Sequence, residues 1–206
     1  MDSKPTVRYA FIDVQNTEGT VSHLLGFVID WHKLYHYLKE QWNCEKVFFY
    51  SGIDQGNEDK IDEHLALKNL GYEMSIKPYK IYKNSDKIIK IMCSKCANEI
   101  DYKIEGGVRW KSNCDAELSV DATNLAKSGA EFLIFSGDGD FECVIRNAVE
   151  KGVKVYVVSS ARKVKTGLRY SSSRFSTKLR ELIAEKRDLV IFKDINDWKM
   201  RIKKDI

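Results

Sequence analysis

Between Glu131 and Val144 the chain reads EFLIFSGDGDFECV, and this stretch limits the fold more than any other. The apolar run Phe132 to Phe135 suits a strand buried on both faces. It ends at Ser136, and Gly137, Asp138, Gly139 and Asp140 follow before apolar periodicity returns at Phe141. A strand, a tight turn and a helix start are expected. Two carboxylates on a glycine-flanked turn, at the carboxyl end of such a strand, sit where open α/β sheets place their ligands. Asp138 and Asp140 are therefore either half of a divalent-metal site or, more plainly, a turn residue and a helix cap.

The remaining elements alternate around that unit. Val7 to Ile12 is a β-prone run ending at Asp13, and Asp30 can cap a helix that places Trp31, Leu34, Leu38 and Trp42 near one face. Lys46 to Tyr50 reads as a second strand. Asn57 to Leu70 reads as a helix with Ile61 and Leu65 inward, Leu67 and Leu70 being further candidates, and Gly71 stopping it. Tyr72 to Lys77 is a weaker third strand. From about 79 to 112 apolar residues alternate loosely with lysines around a tip at Cys93 and Cys96, which predicts an inserted β-hairpin or small ribbon. Helical spacing returns at Asp115, with Leu118, Ala122, Leu125 and Ala126 on one arc. It returns again at Phe141, with Val144, Ile145, Ala148 and Val149. Val153 to Val158 and Leu189 to Phe192 read as strands, with a basic amphipathic helix, Phe175 to Lys186, between them. The expectation is one α/β domain over residues 1–206: a mainly parallel sheet, helices on both faces and the hairpin inserted.

Composition removes several classes of function. With 206 residues, 43% of them hydrophobic, the chain can bury a sizeable core. No apolar run is long enough to span a membrane, and the start MDSKPTVRYAF lacks a signal peptide's build, so a cytoplasmic protein is expected. Five cysteines without secretory context point to reduced thiols. The net charge of +4 names no partner, but Ser159 to Arg187 holds nine Lys or Arg against two Glu.

Acids that follow strands or open helices on the carboxyl side of a parallel sheet converge although they are distant in sequence. Asp13, Asp138 and Asp140 meet that description. Asp115 joins them by opening the helix that leads into the strand before Asp138. Asp121 lies six residues further along that helix, roughly 9 Å of rise, and is expected to be structural or to support the site indirectly. Clustered carboxylates repel one another, and a hard cation, Mg²⁺ or Mn²⁺, resolves this while holding a phosphate oxygen. None of the four histidines (His23, His32, His36, His64) is near these positions in sequence, and neither a Ser-His-Asp set nor a GxxxxGK[ST] loop is present. Phosphoryl or phosphodiester chemistry remains. Asn16 and Ser136 are candidates to hydrogen-bond a metal water or a phosphate, or to serve as turn residues.

Three segments together resemble a known family. FIDVQN (Phe11 to Asn16), CDAELSVD (Cys114 to Asp121) and LIFSGDGDF (Leu133 to Phe141), followed by KVYVVSS (Lys154 to Ser160), occur in the order of the NYN domain, a branch of the PIN-like nucleases. The resemblance implies a metal-dependent ribonuclease fold with an acid cluster binding Mg²⁺ or Mn²⁺. By motif, Asp13 matches the acid ending the first strand and Asn16 the asparagine after it. Asp115 and Asp121 match the paired acids of the long helix, and Asp138 and Asp140 the acids of the turn.

A nuclease needs phosphate neutralisation beside its acids, and the segment after Val158 supplies Arg162, Lys163, Lys165, Arg169 and Arg174, with Tyr170 as a stacking ring. A solvated charged face is the alternative. Cys93, Cys96 and Cys114 are candidates for part of a zinc site that would need a fourth ligand from Cys44, Cys143 or His64; free thiols at a hairpin tip are the alternative. The leading function is thus RNA phosphodiester hydrolysis, with RNA as partner and a homodimer left open. A non-catalytic RNA- or protein-binding module stands second. A haloacid dehalogenase-like phosphatase stands third, since Gln15 occupies the place of that chemistry's second acid.

Overall fold

The computed structural model describes residues 6–96, 98–166, 169–171 and 174–205, and for 109–111, 164–166 and 169–171 the backbone path. The first half of the chain runs β1 (Arg8–Asp13), α1 (Val14–Thr20), a π-helical turn (Val21–Leu25), α2 (Trp31–Glu40), β2 (Cys44–Ile53), α3 (Glu58–Leu70) and β3 (Glu73–Pro78). A ribbon of β4 (Lys80–Lys83), β5 (Lys87–Met92), β6 (Glu99–Ile104) and β7 (Val108–Lys111) follows. The second half runs α4 (Asp115–Leu125), β8 (Glu131–Phe135), α5 (Glu142–Glu150), β9 (Lys154–Ser159), β10 (Val164–Thr166), β11 (Arg169–Ser171), α6 (Thr177–Glu185), β12 (Val190–Asp194) and α7 (Lys199–Ile202).

Six strands form one sheet in the order β12-β9-β8-β1-β2-β3, every pair parallel. Counting only these strands, the chain starts in the middle, winds out to one edge, then returns to β8 and winds out to the other. The order therefore reverses between β1 and β8. Helices arriving from opposite directions leave a crevice beyond the carboxyl ends of those two strands.

Side-chain alternation builds a core on each face. From β1, Ala10 and Ile12 join Leu133, Phe135, Val47 and Phe49 under α2 and the 21–29 segment, while Phe11 joins Phe132, Ile134, Val155 and Val157 under α4, α5 and α6. Phe11 stacks on Phe48 at 5.1 Å and meets Phe132 edge-on at 5.0 Å, which fixes β1 between its neighbours. No helix among the described residues is long and apolar enough to cross a membrane.

The expected α/β architecture, parallel sheet and inserted hairpin are present, with three differences. Val14 to Leu25, which has no clear periodicity, is helical: Asp13 caps it by accepting from the Asn16 N–H, and the Thr17 hydroxyl lies 2.6 Å from the Asp13 carbonyl and 3.0 Å from that of Phe135. Ile61 and Leu65 do not point inward. They are 41% and 55% exposed, and α3 is instead seated by Leu67 and by His64, whose ring meets Phe49 at 5.8 Å. Finally, the insertion, expected as a hairpin or small ribbon, is divided into two ladders in series, β4 with β7 and β5 with β6.

Candidate active site

Asp13 is the last residue of β1, so its side chain emerges at the crevice. Its Oδ1 accepts from the Asn16 backbone N–H at 3.2 Å and its Oδ2 from the Ser136 hydroxyl at 3.0 Å, which ties β1 to the residue that follows β8. Ser136 Oγ also accepts from the Asp138 N–H at 3.1 Å, and Asn16 Oδ1 accepts from the Gly137 N–H at 2.9 Å. Asn16 and Ser136 thus bind the SGDGD turn to the first strand. Asp138 Oδ1 caps the turn by accepting from the Asp140 N–H at 3.0 Å, so the capping role falls to Asp138, not Asp140.

The turn has a second support that the sequence did not announce. The Ser176 N–H donates to the Gly137 carbonyl at 2.9 Å, and a Cβ on Gly137 or Gly139 would collide with Arg174 backbone or the Ser176 side chain. The two glycines are therefore needed for close approach of the segment that precedes α6. That approach brings Arg174 into the crevice, where its guanidinium lies over Gly19 of α1 in the space a Cβ there would fill.

The result is an open cleft of about 580 Å³ whose lining includes Asp13, Asn16, Asp115, Asp138, Asp140 and Arg174. A shallower extension between Asn16, the turn, Ser176 and Lys178 continues from it. Asp115 is set at the rim by the ribbon's return: its N–H donates to Asn113 Oδ1 at 2.8 Å, and Lys77 bridges to Glu117 at 2.6 Å. Asp121 does not line the cleft. It accepts at 2.8 Å from the hydroxyl of Tyr50, which does, and burial together with this carboxylate pushes the Tyr50 phenol far above its ordinary value.

Asp13 is shaped first by its burial. Burial raises its pKa from 3.8 to about 6, and the charges of Asp115 and Asp138 add to the rise, while the Asn16 and Ser136 donors oppose it. Five carboxylates thus line one cleft, Glu18 together with the four aspartates, and Arg174 is the one Lys or Arg among the described residues of its main lining. Removing a donor should be visible: in Ser136→Ala, Asp13 loses an opposing hydrogen bond, its pKa rises further, and the acid limb of a pH–rate profile moves to higher pH. An unmoved limb would show that Asp13 does not govern it.

The aspartates offer oxygen donors that suit a hard divalent cation, and His23 and Cys114 also line the cleft. Among the described residues no group of three or more His, Cys, Asp or Glu is gathered closely enough to hold an ion with protein ligands alone. Water would complete the shell, as is usual for Mg²⁺, which commonly takes one or two carboxylates.

Other residues singled out in the sequence lie elsewhere. Arg162 and Lys163 are exposed beyond β9 and line neither cleft. The side chains of Lys165, Arg169 and Tyr170 lie outside the described residues; their backbones form the small antiparallel pair β10–β11. The three cysteines are not brought together. Cys93 and Cys96 are at the ribbon's tip, whereas Cys114 is buried at its base with its thiol toward the Ser51 and Ser75 carbonyls at 3.5 and 3.8 Å. Ten paired rows at about 3.4 Å separate the two ends by roughly 30 Å, too far for a shared ion. Lys178 and Ser176 were missed as site residues, and the cue was available: two glycines in a turn mark a place where another backbone comes close.

A doubly wound parallel domain with a carboxylate cleft at its switch point describes a class of fold, and comparison with known proteins gives the family. The NYN domain profile matches residues 9–184, and the chain belongs to the NYN domain family, a branch of the PIN-like nucleases. It is 25% identical over 154 residues to the low amplitude and bright protein LabA of Synechococcus elongatus, covering 73% of this chain and 72% of that one. A solved protein of unknown function from Vibrio parahaemolyticus, VPA0982, superposes with a TM-score of 0.61 at 19% identity, covering 95% of this chain and 98% of that one. Phosphofructokinase-2 of Escherichia coli matches only at a TM-score of 0.33 and 14% identity, over 76% of this chain and 55% of that one.

Proposed function

We propose that the cleft is the active site of a ribonuclease that hydrolyses RNA phosphodiesters with Mg²⁺ or Mn²⁺. The observation that carries this is the meeting of Asp13, Asp115, Asp138 and Asp140, from three separate parts of the chain, in one open cleft at the sheet's switch point. These acids would hold the ion. Bound there, it supplies Lewis acidity toward a phosphate oxygen and lowers the pKa of water. The chain's own residues do the rest. Asp13, held by the Asn16 N–H and the Ser136 hydroxyl, can accept the proton of the water whose oxygen attacks phosphorus, and the P–O bond to the leaving ribose oxygen breaks as that oxygen takes a proton from solvent. Ser136 and Asn16 hold Asp13 and the turn in register. Arg174 and Lys178, at the open end, meet the phosphates that flank the scissile one.

The test is cleavage of a labelled single-stranded RNA by purified protein. Activity with Mg²⁺ or Mn²⁺, lost on chelation and restored by adding the ion back, is expected; cleavage indifferent to chelation contradicts the proposal. Arg174→Ala should weaken RNA binding about 3- to 10-fold at low salt and flatten its salt dependence by about one phosphate contact. Equal affinity and slope would remove Arg174 from the RNA path.

The looseness of the acid cluster favours a second reading, a module that binds RNA or a protein without cutting it. RNA affinity without turnover in either ion would establish that alternative.

A further inference from the structure

The ribbon does nothing for the cleft beyond its base, yet it is built in an unusual way. In the β5–β6 ladder the pairs Lys87–Ile104, Ile89–Tyr102 and Ile91–Ile100 share one face, and Ile88–Lys103, Lys90–Asp101 and Met92–Glu99 share the other. The second face mixes exposed Ile88 and Met92 with charged residues and is knitted by Lys90–Glu99 at 3.0 Å and Lys103–Asp86 at 2.7 Å. The first is apolar and open to water: Ile91, Ile100 and Tyr102 are 45%, 55% and 56% exposed. An isolated two-stranded ribbon is marginal in water, and one with a bare apolar face calls for a cover.

The tip says what the cover is. Cys93 and Cys96 flank a tight turn that the Cys93 N–H closes on the Asn98 carbonyl at 2.9 Å. A Cys-x-x-Cys turn of this kind presents two sulfurs to one tetrahedral ion. A closed structural zinc site takes four ligands, and among the described residues no third Cys, His, Asp or Glu is gathered with this pair. Cys114, the nearest further cysteine in sequence after the tip, is anchored at the opposite end of the ribbon.

We propose that Cys93 and Cys96 of two copies of this chain bind one Zn²⁺ between them, so that the ribbon is a zinc-closed dimerisation arm. A two-fold axis through the ion supplies each copy with the two sulfurs it lacks, and self-association of identical patches is the simplest closed assembly. Four thiols give up their protons to solvent as the ion binds, and Lys95 of each copy offsets the negative charge of a four-thiolate site. On the apolar face, the Ile91–Ile100 and Ile89–Tyr102 rows nearest the tip are then covered by their equivalents.

Size decides how the two parts share the work. Six paired rows make a face about 20 Å long and roughly 10 Å wide, near 200 Å² per copy, against about 800 Å² per partner in a standard stable interface. The apolar face alone is too small to hold a dimer. The dimer therefore depends on the ion.

The experiment titrates Zn²⁺ into the reduced, metal-stripped full chain while following mass by sedimentation equilibrium. One zinc per two chains, with the mass doubling as the ion is taken up and halving on chelation, is expected. Cys93→Ser with Cys96→Ser should abolish both, with the circular dichroism spectrum unchanged because the tip touches no core element. Ile91→Lys with Ile100→Lys should retain the sulfurs but weaken dimerisation at least 10-fold. Failure to take up zinc, one zinc per monomer, or a dimer that persists in the double-serine protein overturns the proposal. Because the cleft's acids are untouched, RNA cleavage reports separately on the proposed nuclease.

Discussion

Replacing Asp13 by Asn should slow the proposed RNA cleavage by about 10²-fold or more and, at the same time, make the fold more stable above pH 6. The first effect follows from the proposal that Asp13 both helps to hold the cation and accepts a proton, since losing one such group from a charge-stabilising site commonly costs 10²–10³ in rate. The second follows from electrostatics alone. Burial, then Asp115 and Asp138, raise the Asp13 pKa from 3.8 to about 6, so the folded state holds this proton more tightly than the unfolded state does. Stability contributed by the protonated acid is complete below about pH 4 and is lost as pH rises through 6. Above that, carrying the charge costs on the order of 1–3 kcal/mol. The amide introduced by Asp13→Asn would keep an acceptor for the Asn16 N–H and carry no charge. Denaturant unfolding at pH 4 and pH 8 should therefore show a gain for Asp13→Asn that is present at pH 8 and absent at pH 4. Equal stabilities at both, or cleavage at the wild-type rate, would contradict the assignment.

The largest effect on folding is expected at Phe11. Its side chain is fully buried, stacked on Phe48 and edge-on to Phe132, two residues before Asp13 on the central strand. Phe11→Ala removes both ring contacts and opens a cavity where strands on either side restrict collapse, a loss of about 3–5 kcal/mol. That is a large share of the 5–15 kcal/mol typical of a whole domain. Leu65→Ala, on the exposed side of α3, should change stability by no more than about 0.5 kcal/mol. Urea midpoints for the two variants compare them directly. A costly Leu65→Ala together with a mild Phe11→Ala would mean that the two cores are misassigned.

Much of the architecture could be read from local signals. The run Phe132 to Phe135 followed by SGDGD allowed few outcomes other than a buried strand, a turn and a helix start, and Phe11 to Asp13 gave the same ending for the central strand. What failed had no local signal. Residues 14 to 25 lack helical periodicity because their helix is held by the Asp13 cap and by Thr17, whose hydroxyl reaches the end of β8, a contact across 118 residues of chain. In α3 the apolar residues are spread around the helix. Which side faces the sheet is settled by how α3 meets Phe49, and that side holds Leu67 and His64 rather than Ile61 and Leu65.

The site divides in the same way. Asp13, Asp138 and Asp140 could be anticipated because strand ends converge in any parallel sheet, and Asp115 because it opens the helix that leads into β8. Arg174 was foreseen only as one member of a basic run, and its place over Gly19 depends on Ser176 docking against the turn glycines. The grouping of Cys114 with Cys93 and Cys96 failed because sequence spacing does not give the reach of a ribbon. Ten ladder rows carry the tip away from a residue only 18 positions later in the chain.

Mn²⁺ binding, followed by the loss of the free-ion electron paramagnetic resonance signal at pH 8, bears most directly on the cleft. It should be carried out in the Cys93→Ser, Cys96→Ser background so that the ribbon contributes no sulfur ligands. The account predicts saturable uptake by the protein with its acids intact, and affinity at least about 10-fold weaker once Asp13 and Asp138 are both changed to Asn. Equal uptake by the two proteins would contradict it.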